Sequence, residues 1–145
     1  MHLKLTNGVP AKYTLGQLRR DNPQTSFPKS VPDDLLASYD VYPYTRPNIP
    51  VFDGLSHYLT DGAFEQDAGG NWSLPYVVDK LPQEQAEQNI RKNRDILLQQ
   101  TDWVVIVHTE KGTNIPAEWE LYRQALRDIT EQAGFPYEVT WPTKP

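Results

Sequence analysis

From His2 to Thr6 apolar and polar residues alternate, the period-two pattern of a strand with one covered face. Asn7-Gly8 follows as a hairpin turn signal, and Ala11-Lys12-Tyr13 is the expected return strand. Thr14 with Gln17 three residues later forms a capping-box pattern, which predicts a short helix over Leu15–Arg20. Residues 21–32 hold three prolines and no period, so an extended connection is expected. Pro32–Ala37 reads as one helical turn with aspartates at its positive end, and Tyr39–Tyr44 as an aromatic, strand-forming run. In the middle, Gly69-Gly70-Asn71 separates Ala63–Gln66 from Trp72–Val78, a plausible antiparallel pair.

The last third is the most regular. Pro82 stands where a helix starts, and nothing breaks a helix from Gln83 to Gln99, with Ala86, Ile90 and Leu97 on one stripe. A second helix is expected from Ala117 to Gln132. Its Trp119, Tyr122, Leu126, Ile129 and Ala133 are spaced three and four apart, an apolar seam. Gly134 is the expected C-cap and Pro136 follows. Tyr137–Trp141 alternates again and reads as a terminal strand or an extended arm, and the link Val104–Asn114 between the two helices, with its apolar run Val104–Val107, reads as a buried strand or an oligomer contact. These elements give an α+β fold in three segments. A strand/helix module spans 1–50, a β-rich middle 51–80 and an antiparallel helical hairpin 81–145.

Composition narrows the function. The 145 residues carry a net charge of −5, and the basic residues are interleaved with carboxylates, so nucleic acid is not the expected partner. There is no cysteine, which removes disulfides, thiol catalysis and thiolate metal sites. MHLKLTNGVP has no apolar run of secretion-signal length, and Trp103–Val107 is too short to span a bilayer, so a soluble chain working in a cytoplasm is expected. Apolar residues make up only 38%, and the 13 prolines are many for this length, yet 4 Trp and 8 Tyr speak against disorder. Thin cores joined by extended connections are the expected compromise, with stability leaning on a partner or on self-association.

The chemistry-bearing residues form no catalytic pattern. His2, His57 and His108 are far apart and lack the spacing that sets two imidazoles on one helix face. No Gly-x-Ser-x-Gly elbow and no phosphate-binding glycine loop occurs, and Lys111-Gly112-Thr113 reads as a turn. Asp61, Glu65 and Asp67 surround a glycine-rich turn without the regular calcium-loop spacing. No enzyme, metal or cofactor is therefore expected. The aromatic seam residues have two readings: core packing, or anchors for a partner.

One stretch is more specific. Arg94–Leu98 with Thr101-Asp102-Trp103 is followed by Ile115–Ile129, containing Trp119-Glu120-Leu121-Tyr122-Arg123-Gln124-Ala125-Leu126-Arg127-Asp128-Ile129, and then by Gly134-Phe135-Pro136 and Val139-Thr140-Trp141-Pro142. Over about residues 85–145 this pattern resembles the phage tail (fibre) assembly chaperone family. Tyr13, Leu18–Pro23 and Ser26-Phe27-Pro28 resemble an N-terminal module joined to that part in phage proteins. The chain departs from the family in its link Val104–Asn114, where a short polar, proline-containing link is usual.

The resemblance implies a non-enzymatic protein that binds a tail-fibre or baseplate client in the host cytoplasm. The alternative is a structural component of the tail, baseplate or fibre that stays in the particle. A homo-oligomer is compatible with either. The residues singled out are Trp103, Trp119, Tyr122, Arg123 and Arg127. Trp119 and Tyr122 are expected to pack the helical pair, and the two arginines to present charge to the client. In the plainer reading all five hold the hairpin together.

Overall fold

The computed structural model describes every residue from Met1 to Pro145. By its internal contacts the chain forms two compact units, one of Met1–Pro50 with Leu59–Val77, the other of Val51–Tyr58 with Val78–Pro145. The division falls inside β4 (His57–Asp61) and β7 (Tyr76–Lys80), which pair with each other as a two-stranded sheet.

The first unit is built on β1 (His2–Thr6), β2 (Val9–Tyr13), β3 (Val41–Thr45), β5 (Glu65–Gln66) and β6 (Trp72–Ser73), in the sheet order β2-β1-β3-β6-β5. β1 and β2 form the expected antiparallel hairpin, with Leu3 opposite Lys12 and Thr6 opposite Val9. Its turn takes positive φ at both Asn7 (53°) and Gly8 (80°), which matches the right-handed strand twist. β5 and β6 pair antiparallel around the glycine turn, and β6 runs parallel to β3. The capping box at Thr14 is complete and opens α1 (Leu15–Asp21); α2 (Asp33–Ala37) is the predicted single turn.

Strand β3 explains why this unit has two small cores. Val41 and Tyr44 are an odd number of residues apart and so leave the strand on opposite faces. Val41 joins Leu18, Val31 and Leu36, with Phe27 and Tyr39 packed against them, while Tyr44 joins Leu3 and Leu74, flanked by Phe64 and Trp72. At the surface Asp61 accepts hydrogen bonds from Lys12 and from Arg46, the latter at 2.5 Å, and these bonds hold its carboxyl below the usual carboxylate range.

Tyr13 ties β2 to α1 by donating to Asp21 at 2.5 Å. Burial first, and then this hydrogen bond, push its phenol up to about 12. Because the folded value is raised, the contribution is complete below the unfolded phenol value of about 10 and is lost as pH rises through the folded one. Asp21→Asn should bring the Tyr13 ionisation, followed by NMR of its ring carbons, part of the way back. An unchanged midpoint would remove the hydrogen bond from this account.

The second unit is helical. α3 (Gln83–Gln99) begins after Pro82, α4 covers Asp102–Lys111, and α5 (Ala117–Arg127) runs into a 3-10 turn over Asp128–Glu131. Its buried apolar residues are Ala86, Ile90, Val104, Tyr122, Leu126 and Ile129, so the seam on α5 is core from Tyr122 to Ile129. The segment 51–58 is fastened to the start of α3. Leu81 N–H donates to the Ser56 carbonyl (2.9 Å), Asn89 Nδ2 donates to that of Leu55 (2.9 Å), and the Tyr137 hydroxyl donates to that of Leu81 (2.8 Å).

The mixed α+β class stands, with strands leading and helices closing the chain. The strand expected over Trp72–Val78 divides into β6 and β7, which lie in different sheets, the helix expected over Ala117–Gln132 ends at Arg127, and two further elements change type altogether. Val104–Val107 is helical, not a strand. Its β-branched run looks strand-like in isolation, but Asp102 sits in the first turn and Gly112 ends the helix in the left-handed conformation at φ 62°, with Thr113 N–H reaching back to the His108 carbonyl at 2.9 Å. The end signals outweigh the local propensity. Tyr137–Trp141 forms turns and irregular backbone instead of a strand. Gly134 is where the chain folds back, in place of capping α5: a Cβ there would lie 2.7 Å from that of Glu138.

Candidate partner-binding surface

Helix α4 is apolar around most of its circumference, since Trp103, Val104, Val105, Ile106 and Val107 are consecutive. A helix of that kind normally lies buried on all sides. Here only Val104 is buried, whereas Trp103 is 54% and Ile106 55% exposed. On α5, Leu121 is 72% exposed. Scattered exposed apolar residues are ordinary. Here three large ones stand exposed on two helices of one small unit.

Two features organise this surface. The rings of Trp103 and Trp119 meet edge to face at 5.9 Å, and Trp119 meets Tyr122 in the same manner at 6.2 Å. The ladder leads from exposed Trp103 through half-buried Trp119 to buried Tyr122. The second is a groove between α4 and α5 of about 630 Å³, whose apolar wall is Val105, Ile115, Ala117 and Leu121 and whose polar wall includes Glu120 and Arg127.

The two arginines part company. Arg127 is exposed and takes part in no ion pair. Arg123 is turned inward, only 9% exposed. Its guanidinium donates to the Leu98 carbonyl (2.9 Å), to Thr101 Oγ1 (2.6 Å) and to Asp102 Oδ1 (2.9 Å). It therefore locks the corner between α3 and α4, where helix-end carbonyls need donors.

Two of the histidines meet hydroxyls that are near them in sequence. His57 Nδ1 lies 2.9 Å from Ser56 Oγ, and His108 Nδ1 lies 2.8 Å from Thr113 Oγ1. No three His, Asp or Glu residues come together as metal ligands would. Asp67 spends its carboxylate on Asn71 and on the Gly69 N–H within its own turn.

The sequence pattern pointed to Trp103, Trp119 and Tyr122, and the structure places these three in one ladder. It did not single out Ile115 or Leu121, and it read Val105 and Ile106 only as part of a buried strand or an oligomer contact, which assigns them no helix face. Leu121 lies off the α5 seam, and an apolar residue outside an otherwise complete seam was the available signal.

Residues 87–145, all within the helical unit, match the family model described as phage tail assembly chaperone protein. The match includes all of α4 and α5 and most of α3, and it supports a role in phage tail assembly. No curated protein and no solved structure matches the chain.

Proposed function

We propose that this chain binds a phage tail protein, a fibre or baseplate component, during particle assembly, and that it does so through the exposed apolar surface of α4 and α5. The observation that carries the reading is a coincidence of place. The region matching the assembly-chaperone family is also the region where Trp103, Ile106 and Leu121 stand in water. Aromatic anchors such as Trp103 carry much of the binding energy at protein interfaces. Trp103 is the anchor, backed by half-buried Trp119 and by Tyr122 in the core, Arg127 is a rim charge, and Arg123 holds the corner that presents them. The work is non-catalytic and takes place in the host cytoplasm, where tails are built. No helix is long and apolar enough to cross a membrane.

The test is mass spectrometry of highly purified particles beside an infected-cell lysate. Co-purification with a fibre or baseplate protein in the lysate, and absence from particles, is the expected result. A fixed stoichiometry with tail proteins in the particle would replace the chaperone reading with that of a permanent tail component. Absence of any tail protein from the co-purifying material would overturn both.

A further inference from the structure

One side of α5 is flanked by a segment of the chain itself. Glu118, Leu121, Tyr122 and Ala125 follow the i, i+3, i+4, i+7 spacing and share one side of the helix. Pro142, Thr143, Lys144 and Pro145 line an open hollow of about 550 Å³ together with that side. Just upstream the chain is well fastened. Gln132 Nε2 donates to the Thr140 carbonyl (2.9 Å) and Gln132 Oε1 accepts from the Thr140 N–H (2.8 Å), so one side chain copies a strand pair. The Tyr137 hydroxyl adds its bond to Leu81, and Lys80 Nζ sits 4.7 Å from the Tyr137 ring centroid.

Past Thr140 the fastening stops. Two of the next five residues are prolines, which have no N–H to donate. The one polar interaction is Lys144 Nζ at 6.0 Å from the Trp119 ring centroid, at the outer limit for a cation over an aromatic face. Thr143, Lys144 and Pro145 are exposed, and Leu121 stays 72% exposed beside the strap. The strap borders the face and leaves most of it open.

We propose that this α5 face is a docking site for an extended, proline-containing segment with one basic residue, supplied by a partner protein, and that residues 141–145 are a built-in competitor which the partner displaces. The occupant's chemistry is read from the segment seated there now. Extended prolines match a shallow face flanked by aromatic rings, and they lose little entropy on docking. A basic side chain suits the Trp119 face and the Glu118 carboxylate. A tethered competitor has a high local concentration but here a poor fit, so a partner with better contacts wins the face. The inference rests on the assembly reading above and names the chemistry of the partner's segment.

A synthetic peptide with the sequence of residues 138–145 serves as the probe. It is titrated into the full chain, with the methyl groups of Leu121 and Ala125 followed by NMR. Saturable shifts at both are expected. Gln132→Ala, which loosens the strap, should tighten apparent binding about threefold or more, because a competitor's occupancy is removed. Leu121→Asp should abolish the shift at Ala125, the methyl that remains, while helical circular dichroism is unchanged. Shifts that are absent or fall elsewhere on the chain would overturn the docking face. Equal affinity in Gln132→Ala would overturn the strap as competitor. A tail protein that co-purifies equally with wild type and Leu121→Asp would leave the assembly role standing and remove this face from it.

Discussion

Leu126→Ala should cost about 2–5 kcal/mol of stability, the range for emptying a fully buried leucine site. Leu126 is 0% exposed and lies one turn from Tyr122 and from Ile129 on the seam of α5, the helix that packs against α3. The loss has two parts: transfer of the removed methyl groups, and the cavity left behind, because neighbouring helices relax only in part. A native domain has only ~5–15 kcal/mol in hand, so the helical unit would be near its limit. Thermal melting should fall by roughly 10 °C or more at the ~4–8 °C per kcal/mol of a small domain. Leu121→Ala is the control. The residue type and helix are the same, but at 72% exposure its removal should stay within about 0.5 kcal/mol. Denaturation followed by circular dichroism measures both. Equal losses would mean that the seam does not face the core.

That contrast shows what the sequence could reveal. A three-four spacing on α5 placed Tyr122, Leu126 and Ile129 on the buried side, since burying an apolar stripe is the main reason such a helix forms. The hairpin at Asn7-Gly8 and the capping box at Thr14 were equally legible, because each is a local conformation that few residue types adopt. The parallel pairing of β3 with β6 was not legible, since it joins Tyr44 to Trp72 across many residues with no local signal. α4 was misread because Val104–Val107 has strand propensity, and the decision lay in its ends. The candidate surface was half legible for the same reason: its aromatic ladder follows helix spacing on α5, but Ile106 needed the helical fold of α4 to be placed at all.

Arg123→Ala should be the second large loss, about 2–4 kcal/mol, and its partition distinguishes structural from binding charge. The guanidinium satisfies three acceptors at once, and hydrogen bonds to charged groups are each worth ~1.5–3 kcal/mol without being additive. Asp102 is about half exposed, so the ion pair itself contributes little. Most of the cost falls on the Leu98 carbonyl and on Thr101, which is 0% exposed. Asp102→Asn should therefore cost under about 1 kcal/mol. Arg123→Lys should fall between the two, because a single ammonium cannot reproduce a planar fork that spans two helix ends. If Asp102→Asn destabilised as much as Arg123→Ala, the ion pair and not the backbone lock would hold the corner. Arg127 gives the opposite signature. Being exposed and outside every ion pair, Arg127→Ala should leave stability within about 0.5 kcal/mol, so that weaker capture of a tail protein by this variant would report on the interface itself. Weaker capture by Arg123→Ala, accompanied by lost helix, would report instead that the surface had come apart at the α3–α4 corner.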